Sequence, residues 1–170
     1  MCHLFTPIAF FSKSARAEGL CLNLDRFLDK IKINFFLYEF GVNVDMNSDD
    51  LKEIGFENWH YFHEIDDNLI RNKYGVYIIK LNKMFGRLIG NSDILYIGHT
   101  TNFSVRFFKN YLKGTGGKTT QRIHRYLINM KYIDKTMISW IETKNYDLER
   151  ELRDKYEEEH HEFPPWNRYK

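Results

Sequence analysis

Two apolar periods alternate along the chain and mark out its elements. Leu24, Phe27, Leu28 and Ile31 recur at i, i+3, i+4 and i+7, the stripe of an amphipathic helix. Apolar residues crowd on to Phe40 without a clear period. Residues 41–50 are polar and turn-rich, as in a linker. Ser48 stands where it can cap a short helix containing Leu51 and Ile54. The aromatic run from Trp59 to Phe62 reads as packing on the residues C-terminal to it.

The later residues are clearer. Residues 74–81 (YGVYIIKL) predict a strand, residues 82–93 a long hairpin connection holding Gly86, Gly90 and Asn91, and residues 94–97 a second strand. Asn102 then caps a helix carrying Phe103, Phe107 and Tyr111 on one face. A glycine-rich break at 114–117 precedes a helix capped by Thr119, with Ile123, Leu127 and Met130. Residues 137–141 (MISWI) predict a third strand. From about Asp147, a last helix sets Leu148, Leu152 and Tyr156 one turn apart, and Pro164-Pro165 ends it. Strands in direct succession favour an antiparallel hairpin over a crossover. The expected architecture is α+β, with helices flanking a small three-stranded, mainly antiparallel sheet.

Composition adds limits. With 170 residues the chain suffices for one domain, or one domain and an extension. Only Cys2 and Cys21 are present, so no disulfide framework or cysteine metal site is implied, and a reducing, cytoplasmic setting is expected. No apolar run is long enough to span a bilayer, so no membrane partner is expected. The start, MCHLFTPIAFF, lacks the basic leader and cleavage site of a secretory signal and reads as a poorly ordered end.

Charge divides the chain. Residues 1–70 hold six Lys/Arg against twelve Asp/Glu, and residues 71–170 hold nineteen against eleven. This suggests an acidic extension over 1–70, with a protein partner as one candidate role, and a separate basic domain over 71–170. Within the latter, Arg106, Lys109, Lys113, Lys118, Arg122, Arg125, Lys131, Lys135 and Lys144 are offset only by Asp134 and Glu142. Such a run suits a surface that follows a phosphate backbone, or else a solvated helical face.

Particular residues choose between these readings. Gly75-Val76-Tyr77 on the first predicted strand and Tyr96-Ile97-Gly98 on the second are followed by Arg106 ten residues after the second tyrosine, by Glu149 in LERELRDKY and by Asn167 in FPPWN. Taken singly, each has an ordinary explanation. The tyrosines are common strand aromatics, Arg106 is one base of many, Glu149 stands among other acids, and Asn167 fits a turn. Taken together, their order and spacing resemble the GIY-YIG nuclease family over about residues 74–168.

The resemblance implies a divalent-metal-dependent endonuclease acting on nucleic acid, with DNA as the expected substrate. Its catalytic residues would be Tyr77, Tyr96, Arg106 and Glu149. Hydrolysis builds negative charge on the phosphate, and arginine meets it with a permanent charge on a planar fork. Glu149 would be the protein's one carboxylate ligand to Mg²⁺ or Mn²⁺, which argues for a single ion. A tyrosine acts as base near neutrality only where positive charge favours phenolate. Tyr96 is favoured over Tyr77 for that role, and both should face one side of the sheet. Gly98, His99, Asn110, Tyr111, Lys113, Lys118 and Asn167 are expected to contact substrate.

Some features depart from the family pattern. The gap from Tyr77 to Tyr96 exceeds the family's usual tight hairpin. Family members often carry His or Tyr four residues after the arginine, where this chain has Asn110, with Tyr111 next to it. His99 stands where some relatives use lysine. Other motifs are weak. Gly117-Lys118-Thr119 resembles the end of a phosphate loop, but the leading glycine is replaced by Leu112 and no strand precedes it. His60 and His63, like His160 and His161, lack metal partners at suitable spacing. A non-cleaving nucleic-acid-binding module of the same fold is the alternative reading.

Overall fold

The computed structural model describes residues 46–168. The helix expected around Leu24–Ile31, the apolar stretch after it and the chain start lie outside them. Four strands form one antiparallel sheet: β1 (His60–Tyr61), β2 (Gly75–Gly86), β3 (Asn91–Thr100) and β4 (Thr136–Ile141), in the order β1-β4-β2-β3. The α+β layer matches expectation. The fourth strand was not expected. His60 and Tyr61 pair with Ile138 and Met137 at the sheet edge, and two residues are too few to show a period.

Period-two alternation assigns the two faces of the sheet. Tyr77, Ile79 and Leu81 face a front core, whereas Val76 and Ile78 face a back core. On the front, the sheet is covered by a π-helix, Val105–Leu112, and by α2, Lys118–His124, which runs on into a second π-turn at Arg125–Asn129. A short α1, Asp67–Ile70, precedes β2. On the back lies α3, Asp147–His160, burying Leu152 and Tyr156. Met46, Leu51 and Phe56 are buried in that same back core, while Phe62, Ile65 and Ile70 join the front one. Residues 46–70 therefore pack with the strands.

Several local expectations are corrected. The connection at 82–93 is mostly ribbon, since β2 continues to Gly86 and β3 begins at Asn91, leaving residues 87–90 as the turn. Ser48 does not cap the 3₁₀ turn Asp50–Ile54. Its hydroxyl donates to Asp93 Oδ2 (2.7 Å) and accepts from Lys80 Nζ (2.7 Å), completing a buried network with the Lys80–Asp93 ion pair (3.1 Å). Thr119 does not cap α2, which starts at Lys118 behind Gly117. Asn102 does cap its helix, accepting at Oδ1 from the Val105 N–H (2.9 Å). Among the described residues no helix is long and apolar enough to cross a membrane.

Candidate active site

The front end of the β2–β3 hairpin is shaped by two glycines and a bulge. Gly75 has φ +139°, and a Cβ there would lie 2.0 Å from the Ile141 carbonyl oxygen, so only glycine lets β2 and β4 meet at this point. Ile79 pairs with Tyr96 but Lys80 pairs with Ile94, which leaves Leu95 as the extra residue of a β-bulge. Tyr96 thereby shares the front face with Tyr77, and their ring centroids are 5.9 Å apart. Gly98 pairs with Tyr77 across the hairpin, and the Tyr96 ring lies over it. A Cβ on Gly98 would meet Tyr96 Cε1 at 2.4 Å. Gly98 thus sets the ring's position.

The π-helix supplies the next two groups. Its i→i+5 hydrogen bonding inserts one residue per turn relative to an α-helix. Arg106 and Tyr111 are five apart and so lie one π-turn from each other. Tyr111 is fully buried, its hydroxyl hydrogen-bonds that of Tyr77, and it stands within hydrogen-bonding reach of Arg106. Asn110 instead accepts from the Thr115 hydroxyl (3.2 Å). The wide helix therefore moves an aromatic hydroxyl from the fourth to the fifth place after the arginine. Arg106 Nε is buried without a hydrogen-bond partner, and no carboxylate pairs with this guanidinium among the described residues.

Three phenols now surround one cation. Burial pushes Tyr77 well above the usual tyrosine range, with Tyr111 and Tyr96 adding to it and Arg106 opposing. Tyr111 is raised in the same way, first by burial. Tyr96 is raised by burial and then by the charge of Glu149, against which Arg106 works. Without substrate, all three are neutral phenols at pH 7.

Glu149 sits in the first turn of α3. Its Oε2 accepts from His99 Nδ1, and its Oε1 meets Arg153 Nη1 at 3.3 Å. The His99 ring packs on Tyr146, 4.8 Å between centroids. Among the described residues no three His, Cys, Asp or Glu cluster as a metal cage. A lone carboxylate suits Mg²⁺ or Mn²⁺, which take remaining ligands from water and substrate oxygens. Arg153 and Tyr146 escaped the sequence reading, although Arg153 follows Glu149 at helical i+4 spacing.

Asn167 has a different placement from a free substrate contact. Its Oδ1 accepts from the Ile97 N–H (3.0 Å) and its Nδ2 donates to the Ile97 carbonyl (2.8 Å), while the Trp166 N–H donates to the Leu95 carbonyl (2.8 Å). The amide pairs with the edge of β3 beside Tyr96. Lys113 and Lys118 are exposed, and the structure shows no tie from either to the tyrosines.

Two sheet tyrosines, an arginine with no carboxylate partner among the described residues and a carboxylate within electrostatic reach of Tyr96 thus come together in the expected order. The family model for the GIY-YIG catalytic domain matches residues 73–162, just over half of the chain. The chain belongs to the GIY-YIG family. Comparison with curated proteins and with solved structures finds no match. GIY-YIG membership carries a nuclease fold with nucleic acid as the substrate class, and nucleases of this family generally use divalent metal ions.

Proposed function

We propose that this GIY-YIG chain is an endonuclease that hydrolyses phosphodiester bonds in DNA with one Mg²⁺ or Mn²⁺ ion. The observation that carries the reading is Arg106, a half-buried guanidinium ringed by phenols, with no carboxylate partner among the described residues and an unsatisfied Nε. Burying a cation without a counter-charge is costly. A phosphate at this position supplies the missing anion, and the charge that grows on it during hydrolysis strengthens the contact.

The chain's own groups then divide the work. Arg106 binds and orients the scissile phosphate. Tyr77 and Tyr111 hydrogen-bond each other and build the wall that fixes the guanidinium. Tyr96 first loses its own proton to solvent, which Arg106 favours, and as phenolate then receives the proton of the attacking water at its oxygen. It is slightly less buried than its two neighbours, and it feels both Glu149 and Arg106. His99 orients Glu149 through its Oε2. A divalent ion on Glu149 would add Lewis-acid charge at the phosphate and offset the carboxylate's influence on Tyr96.

Cleavage of plasmid, branched and single-stranded DNA with Mg²⁺, with Mn²⁺ and in excess EDTA tests this. Strand breaks that need the metal are expected. Undiminished cutting in EDTA, or no cutting of any substrate with either metal, would overturn it.

A further inference from the structure

The basic run is not spread evenly once folded. Arg122 on α2 donates from Nη2 to the Trp166 carbonyl (2.6 Å), while its Nε and Nη1 are buried without partners. Arg125 and Arg168 are close enough for their charges to act on it, and both are exposed. None of the three has an ion-pair partner among the described residues. Arg122 is accordingly held below the usual arginine range, first by burial and then by Arg168, with Arg125 adding to it.

The support beneath them is fixed. Tyr126 and Trp166 stack at 5.1 Å, Arg125 lies 5.5 Å over the Tyr126 ring, and Trp166 and Asn167 are pinned to β3 at Leu95 and Ile97. Arg168 therefore emerges from an anchored segment beside Tyr96, which lies within electrostatic range of Arg122. Three like charges brought together with no carboxylate partner among the described residues call for an anion, and aromatic stacking holds Arg125 and the Trp166 segment at the flank of the site.

We propose that Arg125 and Arg168, over the half-buried Arg122, form a second phosphate subsite that holds an uncut phosphate of the bound nucleic-acid strand. This rests on the nuclease reading for its substrate, but it concerns binding alone. The subsite adds affinity for the strand, while Arg106 and Tyr96 alone position and act on the phosphate that is cut.

The test is equilibrium binding of a labelled duplex oligonucleotide in EDTA, across a salt series. It compares the parent, Arg125→Ala/Arg168→Ala, and Lys52→Ala/Lys83→Ala, which removes the same charge from two exposed positions elsewhere. Thermal melting checks that all three are folded. Affinity of the arginine double variant should fall roughly 10- to 100-fold, as for loss of charged hydrogen bonds. Its log–log salt slope should become shallower by about 1, as for one lost phosphate contact. Its single-turnover cleavage at saturating DNA should stay near the parent rate. Parent-like affinity and slope, an equal loss in the lysine control, or no duplex binding by the parent overturns the subsite. A parent that binds but never cuts removes the nuclease reading and leaves the subsite to be decided by the binding comparison.

Discussion

Substituting Gly98 by alanine adds one methyl group where the structure has least room for it. The new Cβ would lie 2.4 Å from Tyr96 Cε1, 2.9 Å from its hydroxyl oxygen and 3.0 Å from Cζ, against 3.4–4 Å for ordinary contact. The Tyr96 ring must therefore move by about 1 Å, and Tyr77, 5.9 Å away between centroids, limits its path. Overpacking of this kind costs ~1–3 kcal/mol of stability. A ~1 Å misplacement of a reacting group costs about 100-fold in rate. Gly86→Ala is the matched control, since its added Cβ has nothing within 4 Å. The assay is single-turnover cleavage at saturating DNA, with circular dichroism and melting for each variant. Gly98→Ala should fold, melt slightly lower and cut about 100-fold more slowly, while Gly86→Ala should match the parent. A folded Gly98→Ala that cuts at the parent rate would refute the claim that glycine here positions the Tyr96 hydroxyl for chemistry.

Tyr111→Phe removes the hydroxyl partner of Tyr77 and should slow cleavage by roughly 10-fold or more, as loss of a positioned hydrogen bond does. Asn110→Ala should change the rate little, and the opposite ranking in single-turnover assays would place the role at the fourth residue after the arginine. Arg106→Lys keeps the charge but loses the planar fork, so it should lose most of the activity, ~100-fold, and parent-like cutting would remove Arg106 from the centre of the mechanism. Glu159, with a buried and unpartnered Oε2, has its carboxyl raised by burial to about 7, from 4.5. A raised carboxyl contributes stability present below about pH 4.5 and lost as pH rises through about 7. Glu159→Gln should thus match the parent near pH 4 and be more stable by about 1 kcal/mol near pH 8, after allowance for solvent screening. Chemical denaturation at both pH values checks it, and no gain at the higher pH contradicts the assignment.

Much of this arrangement was legible before folding. Gly75, Tyr77, Tyr96, Gly98, Arg106 and Glu149 are picked out by their resemblance in order and spacing to the GIY-YIG family, and the strand and helix periods set them on their elements. The parts that were hidden have physical reasons. The ribbon from Asn82 to Ser92 has few buried side chains, so no apolar alternation marks it, and its glycines read as loop. Tyr111 stands one residue off because the helix is wide, a property of hydrogen bonding that side-chain identity does not announce. Asn167 reads as a substrate contact, and only the fold shows its amide bonded to the Ile97 backbone. Arg122 was one base in a run, and only the fold shows that it is half-buried, with Nε and Nη1 covered, near two others while most of the run is exposed.

The central claim is that this constellation cuts DNA rather than merely holding it. Glu149→Gln measures this most directly, because it keeps the shape of the side chain and the basic surface but removes the carboxylate charge proposed to hold the metal. Duplex affinity in EDTA and single-turnover cleavage in Mg²⁺ are read on the same preparation, with melting to confirm the fold. Affinity within a few-fold of the parent and cleavage reduced by about 100-fold or more is the predicted result. Parent-rate cleavage by Glu149→Gln would contradict the account at its proposed metal ligand.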